Sequence, residues 1–386
     1  LVFAVVLTAS RTGLLSVLLL ALWGVADRRL SRSARLLLVA APLLYLLSWL
    51  GMAQWAALSQ HSFGGEQRLA ESDISSSRFA IWRDTLVLIA QQPWLGVGLG
   101  EFNLAWTLTP LPHRPVAFFD HTHDLPLQLA VELGVPMALL ICGLLMWGLW
   151  RGAARALQTG GEFGTAQRCA MMMVLMIGLH SLLEYPLWYS YFLLPAAWAW
   201  GFALPERAGA SQPAGAPGQA AQAAQPWLTL GGLALMAGTA LSVLDYARVT
   251  QIFTAAAGAP PLEQRIATGQ RSVFFAHHAD YAAATSGVPA DPEKVFARPT
   301  HYLLDARLLM AWAQSLADRG RLDEARHIAQ RLREFRKSET AEFFAGCPRE
   351  ARPVGAATAA QPPGADSFAC ELPHRVPDWR EFLNHP

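Results

Sequence analysis

The chain has 386 residues, of which 53% are hydrophobic and only 15% charged, and its mean hydropathy is +0.25. Soluble proteins carry about a quarter charged residues, so this composition marks an integral membrane protein. Thirty Lys and Arg against 29 Asp and Glu leave a net charge of +1, which supplies no basic surface and excludes nucleic acid as a partner.

Crossing about 30 Å of hydrocarbon takes about 20 apolar residues. Six stretches qualify, at 1–25, 36–57, 125–150, 168–184, 187–204 and 227–244. The expected plan is two transmembrane helices in 1–57, a loop over 58–124, three more helices in 125–204, and one over 227–244. The chain opens at Leu1 inside an apolar run, which reads as an N-terminal truncation within a membrane domain. Arg28, Arg29, Arg32 and Arg35 crowd the turn after the first span, and Arg151, Arg155 and Arg168 follow the third. Both turns are therefore expected in the cytoplasm. By alternation, loop 58–124, the corner at 185–186 and the tail 245–386 share the opposite, periplasmic side.

Arg11 stands inside the first apolar run. An Arg at that depth costs roughly 2.5–3.5 kcal/mol on the mildest scale, which makes it a functional candidate, although a helix partner would also account for it. In loop 58–124, Ser75, Ser76 and Ser77 offer N-caps for a helix carrying Phe79, Trp82, Leu86 and Ile89 on one face, with Pro93 beyond its end. Arg78 lies in its first turn and Arg83 just over a turn later, either able to meet an anion; an ion pair with Asp84 serves equally well for Arg83. Gly96, Gly98 and Gly100 lack dinucleotide spacing and a Walker Lys, so they read as a tight turn allowing close backbone approach and not as a nucleotide site.

The densest polar cluster is Asp120, His121, Thr122, His123 and Asp124. Imidazole beside carboxylate suits a general base near neutral pH. Two His and flanking carboxylates suit a metal equally by spacing, and Asp124 with Pro126 also fits a helix start. His180 and Glu184, four apart, share a helix face near the exterior end of the fourth span, followed by Tyr185, Pro186 and Trp188.

Residues 205–226 are Ala, Gly, Pro, Gln and Ser apart from Glu206 and Arg207, a flexible cytoplasmic linker. From Asp245 charges return and Leu303, Leu304, Leu308, Leu309 and Trp312 fall at helical spacing, which marks a helical soluble domain over 245–386. Gly320 and Ala325, in a turn between two such patterns, resemble the close contact of a tetratricopeptide repeat, a feature any helical pair can carry. Cys142 and Cys169 fall in spans and read as small buried apolar residues. Cys347 and Cys370 both fall in the exposed tail, where an oxidising compartment favours a disulfide over two free thiols. The fold class is all-α: a polytopic membrane helical bundle with a C-terminal helical domain.

Three stretches together resemble the bacterial O-antigen ligase superfamily. They are Ser10, Arg11 and Thr12; Arg78 to Trp82 leading to Pro93 and Phe102; and His121, Thr122, His123 and Asp124 leading to Gln128, Glu132 and Gly134. His180, Glu184, Tyr185, Pro186, Trp188, Tyr189 and Tyr191, with a soluble tail, look most like the protein O-oligosaccharyltransferase branch that glycosylates pilins and other exported proteins. The resemblance implies an enzyme of the bacterial inner membrane. It transfers a glycan from undecaprenyl pyrophosphate to a hydroxyl, with no metal and no nucleotide sugar. It also implies His123 as the base and Arg11 and Arg78 as holders of the pyrophosphate. His121, Asp124, Arg83, His180, Glu184 and Tyr185 rank second. The family commonly has Asn where this chain has Asp124. The acceptor is a pilin-like protein in this branch, lipid A-core in the ligases of lipopolysaccharide, or a growing chain in the polymerases. A non-catalytic transporter or scaffold for lipid-linked glycans is the reading from a different class.

Overall fold

A computed structural model describes residues 1–64, 73–111, 114–115, 119–204, 226–288, 291–302, 304–335, 338–348 and 367–384. Residues 73–77, 227–228, 367 and 384 are described by backbone alone. Every regular element among them is helical. The chain divides into two compact units, Leu1–Gly98 with His121–Ala208, and Leu99–Asp120 with Gly209–Pro386.

In the first unit the apolar run 1–25 is not one helix. It breaks into α1 (Val2–Leu7) and α2 (Arg11–Ala26), because Ala9 turns left-handed at φ 50° and Ser10 caps α2 by accepting from the Gly13 N–H at 3.0 Å. Gly13 eases this packing, since a Cβ would come within 2.6 Å of Val5 Cγ1 as α1 folds back and that side chain would have to shift. Helix α2 pairs with α3 (Arg32–Ser59), where Leu38 closes on Gly24 and Arg35 Nε donates to the Gly24 carbonyl at 2.9 Å. At that end of α2, Asp27 forms a buried ion pair with Arg168 Nε at 2.6 Å.

Helix α4 (Asp73–Gln91) starts before the three serines, which therefore lie within the helix and not at its cap; their side chains are outside the described residues. Its buried face is Ile81, Asp84, Thr85 and Leu88, while Phe79 and Leu86 point outward. After α5 (Phe102–Leu108) comes α6 (Leu125–Leu133), then α7 (Val135–Gln158). Gly134, at φ 81°, divides these last two where a single span was expected. Helices α8 (Gly161–Ser181) and α9 (Ser190–Ala203) complete the unit, with Ala156, Ala170, Met171, Val174, Ala199 and Ala203 forming the contact of α7, α8 and α9.

The outer faces are apolar: Leu36, Leu43, Leu139, Trp147 and Trp198 are all exposed. Such faces are stable only against lipid or another apolar surface. Among the described residues three helices are long and apolar enough to cross a membrane: Arg32–Ser59, Val135–Gln158 and Thr229–Phe253. The other three expected crossings correspond to the broken α1 and α2, the more polar α8 and the short α9. Cys142 is half-buried and Cys169 exposed, which corrects the expectation that both are buried; each sits on an outward apolar face.

The second unit opens with α5, whose residues Phe102, Leu104, Ala105, Trp106, Thr107 and Leu108 are all buried. Residues 99–120 thus leave the expected loop 58–124 and join the C-terminal unit. Most of the expected linker, 205–225, lies outside the described residues, and Pro226 already begins α10 (Pro226–Phe253). There follow α11 (Leu262–Gly269), α12 (Ala276–Thr285), α13 (Pro292–Ala297), α14 (Ala306–Asp318), α15 (Leu322–Glu334) and the short α16 (Glu381–Asn384).

Helices α14 and α15 form a hairpin turning at Gly320, which takes φ 76°. Ala325 is fully buried in it, but a Cβ on Gly320 would meet nothing within 4 Å, so only Ala325 marks a close contact. Leu304, Leu308, Leu309 and Trp312 are buried as expected, and Leu303 lies outside the described residues. Cys347 and Cys370 form the expected disulfide, with Cα atoms 5.1 Å apart.

Candidate active site

The site lies in the first unit, where four separate segments converge. The helix break at Ala9 places Arg11 at the N-terminus of α2, beside Ser10 and Thr12. Arg78 comes from α4. His121 and His123 come from the segment leading into α6, and Glu184 with Tyr185 from the turn that follows α8.

That arrangement is held by backbone chemistry the sequence pattern hinted at without defining. The glycine segment 93–100 is stitched to the break between α6 and α7. Val97 N–H donates to the Val131 carbonyl at 2.8 Å, Gly98 N–H to Glu132 at 3.0 Å, and Val135 N–H to Pro93 at 2.8 Å. A Cβ on Gly134 would lie 2.2 Å from the Trp94 carbonyl oxygen, and one on Gly96 within 2.4 Å of the Glu132 carbonyl carbon. Close backbone approach is therefore the role of these glycines, as the spacing indicated. Asp124 caps α6 by accepting from Leu127 N–H at 2.8 Å, and burial pushes its carboxyl pKa up even as that hydrogen bond opposes the shift. Trp82 Nε1 donates to the Thr122 carbonyl at 2.9 Å, and the Gln128 side chain accepts from the Thr122 N–H at 2.8 Å while donating to Glu132 at 2.9 Å. These bonds fix the backbone on either side of His123, which itself takes the left-handed conformation at φ 56°. A non-glycine residue seldom sits there unless its surroundings hold it.

Glu184 is the hub. Its Oε1 accepts from Arg78 and its Oε2 lies 2.7 Å from His123 Nδ1. His121 Nε2 stands 3.0 Å from His123 Nδ1 and 4.0 Å from Glu184 Oε2, and its ring lies against Tyr185.

In front of this cluster is a cavity of about 370 Å³ whose wall includes Ser10, Arg11, Arg78, His180, Glu184 and Tyr185. Of the expected residues, the structure thus brings Arg11, Arg78, His180, Glu184 and Tyr185 to one cavity, with His121 and His123 joined to it through Glu184. Arg83 is exposed on α4 and takes no part in the wall, while Asp124 serves as a cap. From sequence, Glu184 stood in the second rank, and Tyr189 and Phe192, both on the wall, belonged to the motif that begins at the end of α8 but were not ranked as site residues. The ligand-capable atoms of His121, His123 and Glu184 lie within 4.8 Å of one another, close enough to share a metal ion. The Arg78 guanidinium on the same carboxylate is a competing cation that works against one.

Residues 1–142 match the family described as O-antigen ligase, and residues 169–343 match the C-terminal family of virulence factor membrane-bound polymerases. These two matches support a place in the O-antigen ligase superfamily. The chain is 32% identical over 126 residues to a general O-oligosaccharyltransferase of Acinetobacter baylyi, covering 32% of this chain and 21% of the relative. It is 27% identical over 213 residues to a ComP-specific O-oligosaccharyltransferase of the same organism, covering 52% of this chain and 36% of that protein. The matched region therefore spans from about a fifth to about a third of these relatives' lengths. No solved structure matches.

Proposed function

We propose that the protein is an O-oligosaccharyltransferase that moves a glycan en bloc from undecaprenyl pyrophosphate to a Ser or Thr hydroxyl of exported proteins. The observation that carries this reading is the single cavity holding both Arg11 and Arg78, with Glu184 linking Arg78 to His123. Two guanidiniums and the N-terminus of α2 suit a diphosphate, whose charge grows as it departs. The lipid tail stays in the bilayer that the apolar outer faces call for.

His123 takes the acceptor's proton. With Nδ1 donating to Glu184 at 2.7 Å, the ring is the tautomer that carries its lone pair on Nε2, where it can accept the proton. The hydroxyl oxygen forms a bond to the anomeric carbon while the bond from that carbon to the pyrophosphate oxygen breaks. The electron pair leaves with undecaprenyl pyrophosphate and the proton goes to His123. One displacement inverts the anomeric centre. Glu184 is a positioning residue in this scheme, and His121, His180 and Tyr185 shape the sugar or acceptor side.

The protein would sit in the bacterial inner membrane, with this site and the C-terminal unit on the periplasmic face, the side opposite the Arg-rich turns. The match of residues 169–343 to polymerases keeps glycan polymerisation as the second reading. The test is to express the full-length gene in a bacterium that makes a lipid-linked glycan and lacks its own ligase and oligosaccharyltransferase. Glycan on a periplasmic protein supports the proposal. Glycan on lipid A-core, or a longer lipid-linked ladder, would reassign the protein to a ligase or a polymerase. No transfer at all would favour a binding-only protein.

A further inference from the structure

The turn at residues 271–275 in the second unit carries exposed apolar side chains that its own unit leaves uncovered. Val273 is 77% exposed and Phe274 58% exposed. This turn is tied to α10 at one residue. Asp245 Oδ2 accepts from Ser272 Oγ at 2.6 Å and from the N–H groups of both Val273 and Phe274 at 2.9 Å. Asp245 is the first charged residue after the apolar run 227–244, which at about 1.5 Å per residue covers roughly 27 Å, close to the thickness of the hydrocarbon layer. Asp245 therefore marks the level at which α10 leaves the hydrocarbon.

We infer that the turn 271–275 is a membrane anchor, in which Val273 and Phe274 enter the headgroup region of the same bilayer that α10 crosses. Three features of the turn fit that environment. The two backbone N–H groups that would be costly to strip of water are already bonded to Asp245. Tyr246, half exposed and packed 5.1 Å from the Phe275 ring, supplies the amphipathic aromatic typical of the interface. Exposed Arg271 in the turn and half-exposed Arg248, whose Nη1 donates to Asp245 Oδ1 at 2.9 Å, bring two guanidiniums to this level, a charge that suits anionic headgroups. The anchor would hold the C-terminal helices at a fixed height above the bilayer through two attachments, α10 and this turn, instead of one. It is independent of the proposed chemistry.

The experiment places an environment-sensitive fluorophore on Phe274→Cys, and separately on Val273→Cys, in the full-length protein with Cys142→Ala and Cys169→Ala. The protein is reconstituted in vesicles of phosphatidylethanolamine and phosphatidylglycerol. Leu244→Cys, exposed on the apolar run of α10, is the lipid-facing reference. The expected result is loss of emission at 273 and 274 with headgroup-level nitroxide lipid and a blue shift relative to detergent, while the reference label is quenched by acyl-chain nitroxide. Emission at both positions that is unaffected by nitroxide lipid but quenched by aqueous iodide would overturn the anchor. So would protection from both quenchers, which would assign the patch to a protein contact.

Discussion

Glu184 joins Arg78 of α4 and His123 before α6, residues far apart in sequence, through the two oxygens of one carboxylate. The guanidinium proposed to hold the departing diphosphate and the imidazole proposed to take the acceptor proton are thereby held by one group. His123→Ala and Arg78→Ala are expected to abolish transfer, by about 10²–10⁴-fold or more for loss of the base, without altering membrane insertion. Glu184→Gln keeps the shape and loses the charge, so it should lower turnover and shift the pH profile of the rate more than it changes donor binding. Rates against pH for purified variants check this.

A second residue-scale effect lies in the C-terminal unit. His327 is fully buried, its Nε2 donating to the Leu108 carbonyl at 2.7 Å, and burial lowers its pKa to about 4. Its neutral form is the folded form, so the stability it supports is complete above pH ~6.5 and falls as pH drops toward 4, by up to about 3 kcal/mol. His301 has the opposite sign. Its hydrogen bond to Glu101 at 2.8 Å raises its pKa, so its contribution is complete below pH ~6.5 and is lost as pH rises through the raised value. Thermal unfolding across pH should show the acid-side loss vanish in His327→Asn and the alkaline-side loss vanish in His301→Ala.

At the scale of elements, the site depends on helices ending where a sequence average would continue them. Hydropathy alone reads 1–25 and 125–150 as continuous spans, since a break of three residues barely lowers a window mean. What ends them is local: Ser10 as a cap after a left-handed Ala9, and Gly134 at φ 81° against the Trp94 carbonyl. The signals were present as Ser10, Gly13 and Gly134 but could not be ranked without the neighbour each one touches. Gly134→Ala should destabilise the fold by more than about 1 kcal/mol and reduce transfer, because it pushes the glycine segment off α6; thermal melts and transfer assays check both effects. Arg11, Arg78 and His123 could be singled out one by one from sequence, whereas Glu184 as the link between Arg78 and His123 could not, because pairing across such separations is a property of packing. The disulfide was legible from compartment logic. Replacing Cys347 and Cys370 by Ser should lower stability by about 3 kcal/mol, measured as an earlier denaturant midpoint.

For the whole molecule, the hydrophobic composition announced a membrane protein and the fold shows how it is used in the first unit, where apolar side chains turn outward and Arg11, Arg78, His180 and Glu184 line a cavity. The division into two units was only partly visible. The C-terminal unit claims α5 from what sequence alone reads as a single loop, because Trp106 and Leu108 complete a core with Phe335 and His327. Nothing in the local pattern of 99–120 announces that distant partner. In the proposed function, the Arg11, Arg78, Glu184 and His123 assembly performs glycosyl transfer and does more than hold a lipid-linked glycan. The most direct test is to combine purified full-length protein, an undecaprenyl-pyrophosphate glycan and a Ser/Thr-containing acceptor protein, and to measure glycosylated acceptor. Product with inverted anomeric configuration is expected from the native protein and none from His123→Ala, with donor binding retained. Donor binding without product in the native protein, or full turnover in His123→Ala, would contradict the proposed function.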